Sequence, residues 1–257
     1  MKKINILWFK KDLRILDNEA LIEAQKDADI LPLYIVEKEL WKQKAYSDRQ
    51  WQFCKECLIE LRMELESLGQ PLVIRVGDAL EIFEEISKSF QINGVYSHQE
   101  TGDYFSYKRD QNILIWLREK NIKWHQFLQF GVFRGTINRN DWSILYKKQL
   151  DRMVFDKPLK INPIEIKLGE LPNDSFFNFE KDLCKGRLKG GRKNALNRIN
   201  YFFNHKIASY KNDISNPEKS FESCSRLSPY ISWGCISIKE VFSFAKKSQC
   251  LDTKMLR

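Results

Sequence analysis

The chain has 257 residues, of which 43% are hydrophobic and 30% charged, a globular composition that excludes a largely disordered protein. Its net charge of +9 permits a polyanionic partner without requiring one. No apolar run approaches the ~20 residues of a membrane helix, and the N-terminal residues lack the features of a secretory signal. We therefore expect a cytoplasmic protein without a membrane partner, whose six cysteines are reduced thiols.

Alternating strands and helices fill the first half of the sequence. Short apolar runs predict strands, and the longer stretches with helical spacing between them predict amphipathic helices. The predicted strands are 4–9, 30–36, 72–76, 94–97 and 123–127, and the predicted helices are 18–28, 48–67, 79–90 and 107–120. Because strands that alternate with helices are joined by right-handed crossovers, this order predicts a doubly wound parallel α/β sheet over residues 1–130.

The second half has a different pattern. Residues 131–186 show little periodicity and contain three of the seven prolines. A structureless stretch of this length is uncommon inside a compact domain, so it predicts a linker between domains. Helical spacing returns from Gly190, which predicts a helical part over residues 187–257.

Cys54 and Cys57 form a C-x-x-C pair inside the predicted helix 48–67. Their spacing places both thiols on or near the apolar face of that helix. No second cysteine pair or nearby histidine completes a zinc site. We therefore interpret them as core residues in preference to a metal or redox site, and we expect no metal ion in this protein.

A polar loop follows the first predicted strand. It carries Lys10, Lys11, Asp12, Arg14, Asp17 and Asn18. Ligands of open α/β sheets bind at the carboxyl ends of the strands, so this loop either binds a polar ligand or is held in place by its own salt bridges. His98 follows the fourth predicted strand at the same edge, where we expect it to form a hydrogen bond within the loops in preference to a contact with a bound ligand.

Ser228 and Pro229 have the character of a helix start, with a hydroxyl N-cap and a proline at the first helical position. The preceding Ser225, Arg226 and Leu227 would add a hydroxyl, backbone N–H groups and a guanidinium beside the positive end of that helix. Such an arrangement suits a phosphate or pyrophosphate. An ordinary capped helix with a solvent-exposed arginine explains the same residues, so the segment by itself leaves both interpretations open.

Positive charge is concentrated between residues 131 and 210, where sixteen basic residues stand against eight acidic ones. Within this stretch lies a run without any acidic residue, whose basic members are Lys185, Arg187, Lys189, Arg192, Lys193 and Arg198. A run of this kind is either a solvated face or a contact surface for the phosphate backbone of a nucleic acid. The second alternative predicts an affinity that falls steeply with salt.

Taken together, these segments resemble the cryptochrome/photolyase flavoprotein family. The stretch 8–18, WFKKDLRILDN, is similar to the family's opening signature, with Lys10 and Lys11 in place of two arginines. The stretch 225–234, SRLSPYISWG, resembles a segment of its FAD-binding domain, and Gly190-Gly-Arg with the helix that follows resembles the start of that domain. The stretches 98–110 and 131–134 resemble bacterial members.

The resemblance implies an antenna-chromophore domain over residues 1–130, with a chromophore of the folate or deazaflavin type, a linker over 131–186 and the first part of an all-α FAD-binding domain over 187–257. It implies FAD contacts from Tyr210, Cys224, Ser225, Arg226, Leu227 and Ser228, and DNA contacts from Lys185, Arg187, Lys189, Arg192 and Lys193. Cys224 stands where the family often has threonine, and a thiol is a weaker hydrogen-bond donor than a hydroxyl.

In photolyases, the excited reduced flavin passes an electron to a pyrimidine dimer flipped out of DNA, and the dimer splits. The family's helical domain continues well beyond the length of this sequence, with further flavin contacts and the electron-transfer tryptophans. The resemblance therefore implies the N-terminal part of a light-driven repair enzyme, which is either a fragment, a truncated gene product or one half of a split protein. It implies that this part is inactive in isolation, has no catalytic residue of its own and would need a C-terminal half to complete it. Two alternatives remain, a cryptochrome-like blue-light photoreceptor and a stand-alone chromophore-binding or interaction module.

Overall fold

The computed structural model describes residues 1–135, 138–182 and 184–247. The strands are β1 (Lys2–Phe9), β2 (Asp29–Val36), β3 (Val73–Val76), β4 (Phe90–His98) and β5 (Lys123–Phe127). They form one sheet in the order β3–β2–β1–β4–β5, and every neighbouring pair is parallel. This topology confirms the predicted parallel α/β sheet, with β1 at its centre.

Helices cover both faces of this sheet. They are α1 (Glu19–Ala24), α2 (Lys38–Trp41), α3 (Asp48–Ser67), α4 (Ala79–Ser89) and α5 (Tyr104–Glu119). Successive side chains of β1 point to opposite faces, so Leu7 and Phe9 join the apolar cluster that includes α1 and α3, whereas Ile6 and Trp8 join the cluster that includes α4 and α5. The doubly wound arrangement follows from this alternation.

The apolar residues of helix α3 have the spacing of a buried helix face, as the sequence predicts. Trp51, Cys54, Leu58 and Leu61 recur at spacings of three and four residues, and all are buried. Cys57 is buried beside them. The prediction that both thiols lie in the core is confirmed by their burial.

The prediction that residues 131–186 lack regular structure was wrong in one place. Arg139–Leu150 forms helix α6, and none of its twelve residues is buried. It is attached to the chain before it by the Trp142 indole, whose Nε1 donates to the carbonyl of Gly131 at 2.6 Å. A helix without a buried face has no core-facing apolar stripe, so its periodicity is weak.

After α6, residues 160–173 contain no helix or strand and are attached to the α/β part by backbone hydrogen bonds. The Ile161 amide donates to the carbonyl of Leu68 at 2.7 Å, and the Ile74 amide donates to the carbonyl of Leu168 at 2.7 Å. The second bond gives a partner to a backbone amide on the outer side of β3, an edge strand whose backbone groups on that side have no neighbouring strand. Ile164 is buried in the cluster of α4 and α5.

Helices α7 (Arg192–His205), α8 (Ile207–Asp213), α9 (Ser220–Ser223), α10 (Ser228–Ser232) and α11 (Ile238–Lys247) form the helical region. Its buried side chains, among them Leu227, Tyr230 and Trp233, belong to the same cluster as α1 and α3. The helical region therefore shares a core with one face of the sheet. None of the helices within the described residues combines the length and hydropathy of a membrane span.

Candidate functional site

The two segments with the most distinctive sequences contact each other. The Leu13 amide, in the loop after β1, donates to the carbonyl of Trp233 at 3.1 Å, and Arg14 Nη1 donates to the carbonyl of Gly234 at 3.1 Å. Gly234 has a φ of +69°, a left-handed conformation that favours glycine. The turn between α10 and α11 is thereby fixed at the carboxyl end of the central strand.

Polar contacts within the protein hold the loop after β1. Arg14 donates to the carbonyl of Asp17 from Nη2 at 2.9 Å and from Nε at 3.2 Å. Asn18 Oδ1 accepts from the Leu21 amide at 2.9 Å and so caps α1. Lys239, at the start of α11, pairs with Asp17. Of the two interpretations of this loop, internal salt bridges and hydrogen bonds account for its buried polar residues.

Asp12 joins this loop to β4. Its Oδ1 accepts from the Lys10 amide at 2.8 Å, and its Oδ2 lies 2.8 Å from His98 Nδ1. Burial works against the ionised carboxylate, but the His98 contact and the Lys10 amide outweigh it and lower the pKa of Asp12. His98 therefore serves as a loop partner, as predicted.

A buried cluster of charges fills the space beside the carboxyl ends of β1 and β2. The Arg109 guanidinium contacts Glu37 at 2.6 Å, Glu100 at 2.6 Å and Asp110 at 2.8 Å. Lys10 Nζ contacts Asp110 at 3.2 Å and lies 4.9 Å from the centre of the Trp8 ring. A cavity of about 20 Å³ remains at this place, room for about one water molecule.

The two glutamates of this cluster have opposite pKa shifts. Burial raises the pKa of Glu37 to about 7, because the attraction of Arg109 only partly offsets it. Burial also opposes ionisation of Glu100, but Arg109, Lys10 and Lys11 together lower its pKa to about 2. Glu100 is therefore ionised throughout the neutral range, whereas Glu37 changes its protonation within it.

A larger open groove of about 640 Å³ lies next to the cluster. It is bounded by the α2–α3 connection, the β4–α5 connection and α10, and its polar and aromatic lining includes Lys11, Gln43, Tyr46, Gln50, Asp103 and Trp233. Behind it, the Trp233 indole stacks on Trp41 with 5.5 Å between ring centroids and 5° between planes. No local pattern in the sequence indicates this groove, because its walls come from four distant segments of the chain.

The predicted cofactor residues lie on α8, on the segment between α9 and α10, and at the first residue of α10. Tyr210 packs against Phe202 of α7, with 5.3 Å between ring centroids. One turn later, Asp213 Oδ2 accepts from the Ser223 hydroxyl at 2.8 Å, which joins α8 to the residue before Cys224. The Cys224 thiol donates to the carbonyl of Phe221 at 3.7 Å.

Residues 224–227 form the short connection between α9 and α10, which we call the turn at Arg226. Arg226 is left-handed, with a φ of +53°, and Leu227 is right-handed, with a φ of −82° and a ψ of −15°. The Leu227 side chain is buried in the core, whereas Ser228 is exposed. The Arg226 guanidinium lies 4.6 Å from the centre of the Phe221 ring.

The prediction that the Ser228 hydroxyl caps this helix was wrong. Ser228 is the first residue of α10, Leu227 occupies the N-cap, and no side chain forms a capping hydrogen bond. Because the turn at Arg226 brings the chain into helical geometry one residue earlier, the Ser228 side chain stands beside the helix end. Pro229 lies in the first turn as its second residue, one position later than predicted.

The basic run divides into two kinds of residue. Lys185, Lys189 and Lys193 are exposed. Arg187 pairs with Glu56 at 2.7 Å, and Arg192 Nη1 contacts Glu240 at 3.2 Å. The sequence gives no sign of these pairs, because Glu56 and Glu240 lie 131 and 48 positions away.

The described residues contain no group of three or more histidine, cysteine or acidic side chains arranged to hold a metal ion.

Comparison with known proteins identifies the family. The model of the DNA photolyase family matches residues 5–141, just over half of the chain. Among curated proteins, the chloroplastic/mitochondrial cryptochrome DASH of Arabidopsis thaliana is 27% identical over 272 residues, which cover 94% of this chain and 47% of that protein.

Two solved structures share the fold. The cryptochrome of Synechocystis superposes with a TM-score of 0.81 at 20% identity, covering 96% of this chain and 56% of that one. The bacterial class III photolyase of Agrobacterium tumefaciens superposes with a TM-score of 0.76 at 22% identity, with coverages of 96% and 53%. The chain thus spans about half the length of these relatives. Because the family model matches more than half of the sequence, the chain belongs to the DNA photolyase family.

Proposed function

We propose that this chain is the N-terminal part of a photolyase-like flavoprotein that repairs pyrimidine dimers in DNA under light once a C-terminal half completes its helical domain. One observation carries the proposal. The loop after β1 is hydrogen-bonded to Trp233 and Gly234 at 3.1 Å each, so the two family-like segments are parts of one structure. That contact fixes the segment 224–228 relative to the α/β part.

The turn at Arg226 supports a site for the diphosphate of FAD. A left-handed residue followed by a right-handed one directs successive N–H groups to the same side, a geometry that binds anions. Within the described residues, the Arg226 and Ser228 amides donate to no protein group, so both remain available to a phosphate. We assign the contacts to Tyr210, Cys224, Ser225, Arg226, Leu227 and Ser228, with Leu227 contributing its backbone because its side chain is buried. FAD bound there in its reduced form would supply the electron that splits the dimer.

We place the antenna chromophore, of the folate or deazaflavin type, in the open groove beside Trp233. The cavity at the Arg109 cluster has about 20 Å³ and is too small for such a molecule. The groove has about 640 Å³, within the usual range of small-molecule sites of roughly 300–1,000 Å³. Its amide, phenol and ammonium groups suit a polar heteroaromatic ligand.

For DNA, we propose that the exposed Lys185, Lys189 and Lys193 contact phosphates. Arg187 and Arg192 belong to the predicted set as well, but each already pairs with a glutamate. Their contribution to DNA binding is therefore smaller than that of the three lysines.

The alternative is a cryptochrome-like photoreceptor. The internal pairing of Arg187 and Arg192 favours it, because a signalling protein has no need of a strong phosphate-binding surface. Flavin binding together with light-dependent chemistry is common to both functions. Cleavage of dimers is specific to repair.

The test is an absorption spectrum with analysis of the released cofactor, made on the purified chain alone and after addition of a candidate C-terminal half. We expect little flavin in the chain alone, and stoichiometric FAD with light-dependent dimer cleavage in the mixture. Flavin and a photocycle without cleavage would favour the photoreceptor. Absence of flavin from both samples would contradict the flavoprotein proposal, and stoichiometric flavin with cleavage by the chain alone would contradict the need for a second half.

A further inference from the structure

Two buried thiols face each other across the contact between the α/β part and the helical region. Cys57 lies on α3 and Cys235 follows α10, 178 positions later in the chain, yet their Sγ atoms are 3.2 Å apart. Cys57 is 2% exposed and Cys235 is fully buried. Both are free thiols.

We propose that Cys57 and Cys235 form a reversible disulfide that covalently joins the helical region to the α/β part when hydrogen peroxide oxidises the protein. One thiol is first oxidised to a sulfenic acid, which breaks the O–O bond of hydrogen peroxide and releases one water. The second thiol then attacks that sulfur, the S–S bond forms, and the sulfenic oxygen leaves as a second water. The pair loses two electrons and two protons in total, and the peroxide is reduced to two waters.

The geometry selects this pair over the other described cysteines. A disulfide has an S–S distance of about 2.05 Å, so the two sulfur atoms need to approach by only about 1 Å. Because both thiols are already held in contact, the second step is intramolecular and fast relative to any reaction between molecules. Cys54, one helical turn before Cys57, contacts the Tyr34 hydroxyl at 3.4 Å instead.

Oxidation of the first thiol to a sulfenic acid controls the rate of disulfide formation. Burial raises the pKa of Cys57, which keeps the reactive thiolate scarce at neutral pH. The chain also covers this sulfur, since the Gly191 amide donates to Cys57 Sγ at 3.2 Å. Oxidation therefore requires a local opening of the contact, and the disulfide forms when the contact closes again.

The cross-link would constrain the segment between Cys57 and Cys235, which is most of the chain. It closes a loop of about 180 residues, and the restriction of the unfolded chain by a loop of that length is large. It also holds Trp233 and Gly234 against the loop after β1. The inference does not rest on the proposed function, because neither flavin nor DNA takes part in it.

The experiment treats the folded 257-residue chain with hydrogen peroxide, blocks the remaining thiols with iodoacetamide in denaturant, and maps the peptides by mass spectrometry. We expect the Cys57–Cys235 cross-link to exceed any other cysteine pair by about tenfold, because among the described cysteines only these two have their sulfur atoms in contact. Dithiothreitol should reverse it. The oxidised chain should unfold at a higher temperature than the reduced chain.

The variants C57S and C235S should each lose the cross-link. The matched control C54S, on the same buried helix face, should retain it. Formation of sulfinic or sulfonic acid without the cross-link, a dominant pair other than Cys57–Cys235, or thiols left intact under conditions that oxidise the urea-unfolded chain would each overturn the proposal. If a serine variant does not fold, the peptide map of the unmodified sequence decides by itself.

Discussion

Gly234 and Asp12 lie so close together that a β-carbon at position 234 would be 2.5 Å from the Asp12 Cα. Real β-carbons do not approach backbone atoms this closely, so only glycine fits between α10 and the loop after β1. The carbonyls of Trp233 and Gly234 can therefore reach the Leu13 amide and the Arg14 guanidinium. The contact between the helical region and the sheet depends on this absence of a side chain.

The substitution Gly234→Ala should loosen that contact. The left-handed φ and the clash with the backbone of Asp12 should together cost about 2–4 kcal/mol of stability. Urea unfolding followed by tryptophan fluorescence measures the loss, because Trp233 stacks on Trp41 across the contact. Gly186→Ala is the control, since a β-carbon there meets no atom within 4 Å. Equal midpoints for the two variants would contradict the role given to Gly234.

Arg109 is expected to be essential for the α/β part. Its guanidinium is buried against Glu37, Glu100 and Asp110, and removing it leaves three carboxylates without their main counter-charge. Arg109→Leu should destabilise the fold by about 3–5 kcal/mol. Arg118→Leu, at an exposed position of the same helix, should change stability by less than about 0.5 kcal/mol. Urea titrations of both variants test this, and a similar small effect for both would show that the network contributes little.

Glu37 and Glu100 should give the stability of the protein opposite dependences on pH. Glu100 has a pKa of about 2 in the folded state, below its ordinary value, so its contribution is present at neutral pH and is lost as pH falls from about 5 towards 2. Glu37 has a folded pKa of about 7, above its ordinary value, so the folded state holds a proton that the unfolded state has released. Its effect therefore lowers stability as pH rises from about 4.5 to 7.

The variant Glu37→Gln isolates the second effect. The protonation of Glu37 depends on Arg109, Glu100 and Asp78. A glutamine amide has nearly the same shape as the glutamate carboxylate but does not titrate. The decline in stability between pH 4.5 and 7, at most about 1.4 kcal/mol per pH unit from this group, should disappear. Glu39→Gln, at an exposed position of α2 two residues away, should leave the decline unchanged. Denaturant titrations at several pH values provide the measurement, and an unchanged slope in Glu37→Gln would refute the assignment.

The sequence predicts the α/β part well because each of its elements buries one face. The strand Lys123–Phe127 and the helix Asp48–Ser67 lie at their predicted limits. Helix α6 was not predicted because none of its residues is buried. The helix predicted after Gly190 is divided at Lys206 into α7 and α8. This break was not predicted because the spacing of the apolar residues continues across it.

The candidate site was predictable only in parts. Ser225–Pro229 and the loop after β1 are recognisable as local patterns, but their contact depends on the tertiary fold. The same holds for the pairing of Arg187 with Glu56 and for the facing thiols of Cys57 and Cys235. Contacts between residues more than a hundred positions apart leave no mark in the spacing of a single sequence.

The basic run should contribute to DNA binding through its exposed lysines. Replacing Lys185, Lys189 and Lys193 by alanine should weaken binding by the protein completed with its C-terminal half and flatten the dependence of affinity on salt, by a slope of about 0.9 for each lost phosphate contact. Arg187→Ala should act mainly on stability, because its guanidinium is paired with Glu56. Binding isotherms at several salt concentrations distinguish the two effects. An unchanged slope after the triple replacement would exclude these lysines from the DNA surface.

Replacing Cys224 by serine should strengthen flavin binding. The Cys224 thiol donates to the carbonyl of Phe221 over a long distance of 3.7 Å. A hydroxyl is a better hydrogen-bond donor to a phosphate oxygen than a thiol is. One added hydrogen bond to a charged acceptor is worth about 1.5–3 kcal/mol, so the dissociation constant for FAD should fall by roughly tenfold or more in the completed protein. Cys184→Ser is the control, because this exposed cysteine lies outside the segment. Fluorescence titration with FAD gives both constants. If Cys224→Ser and Cys184→Ser bind FAD equally, Cys224 does not face the diphosphate, and the contacts of the segment have to come from the turn at Arg226 alone.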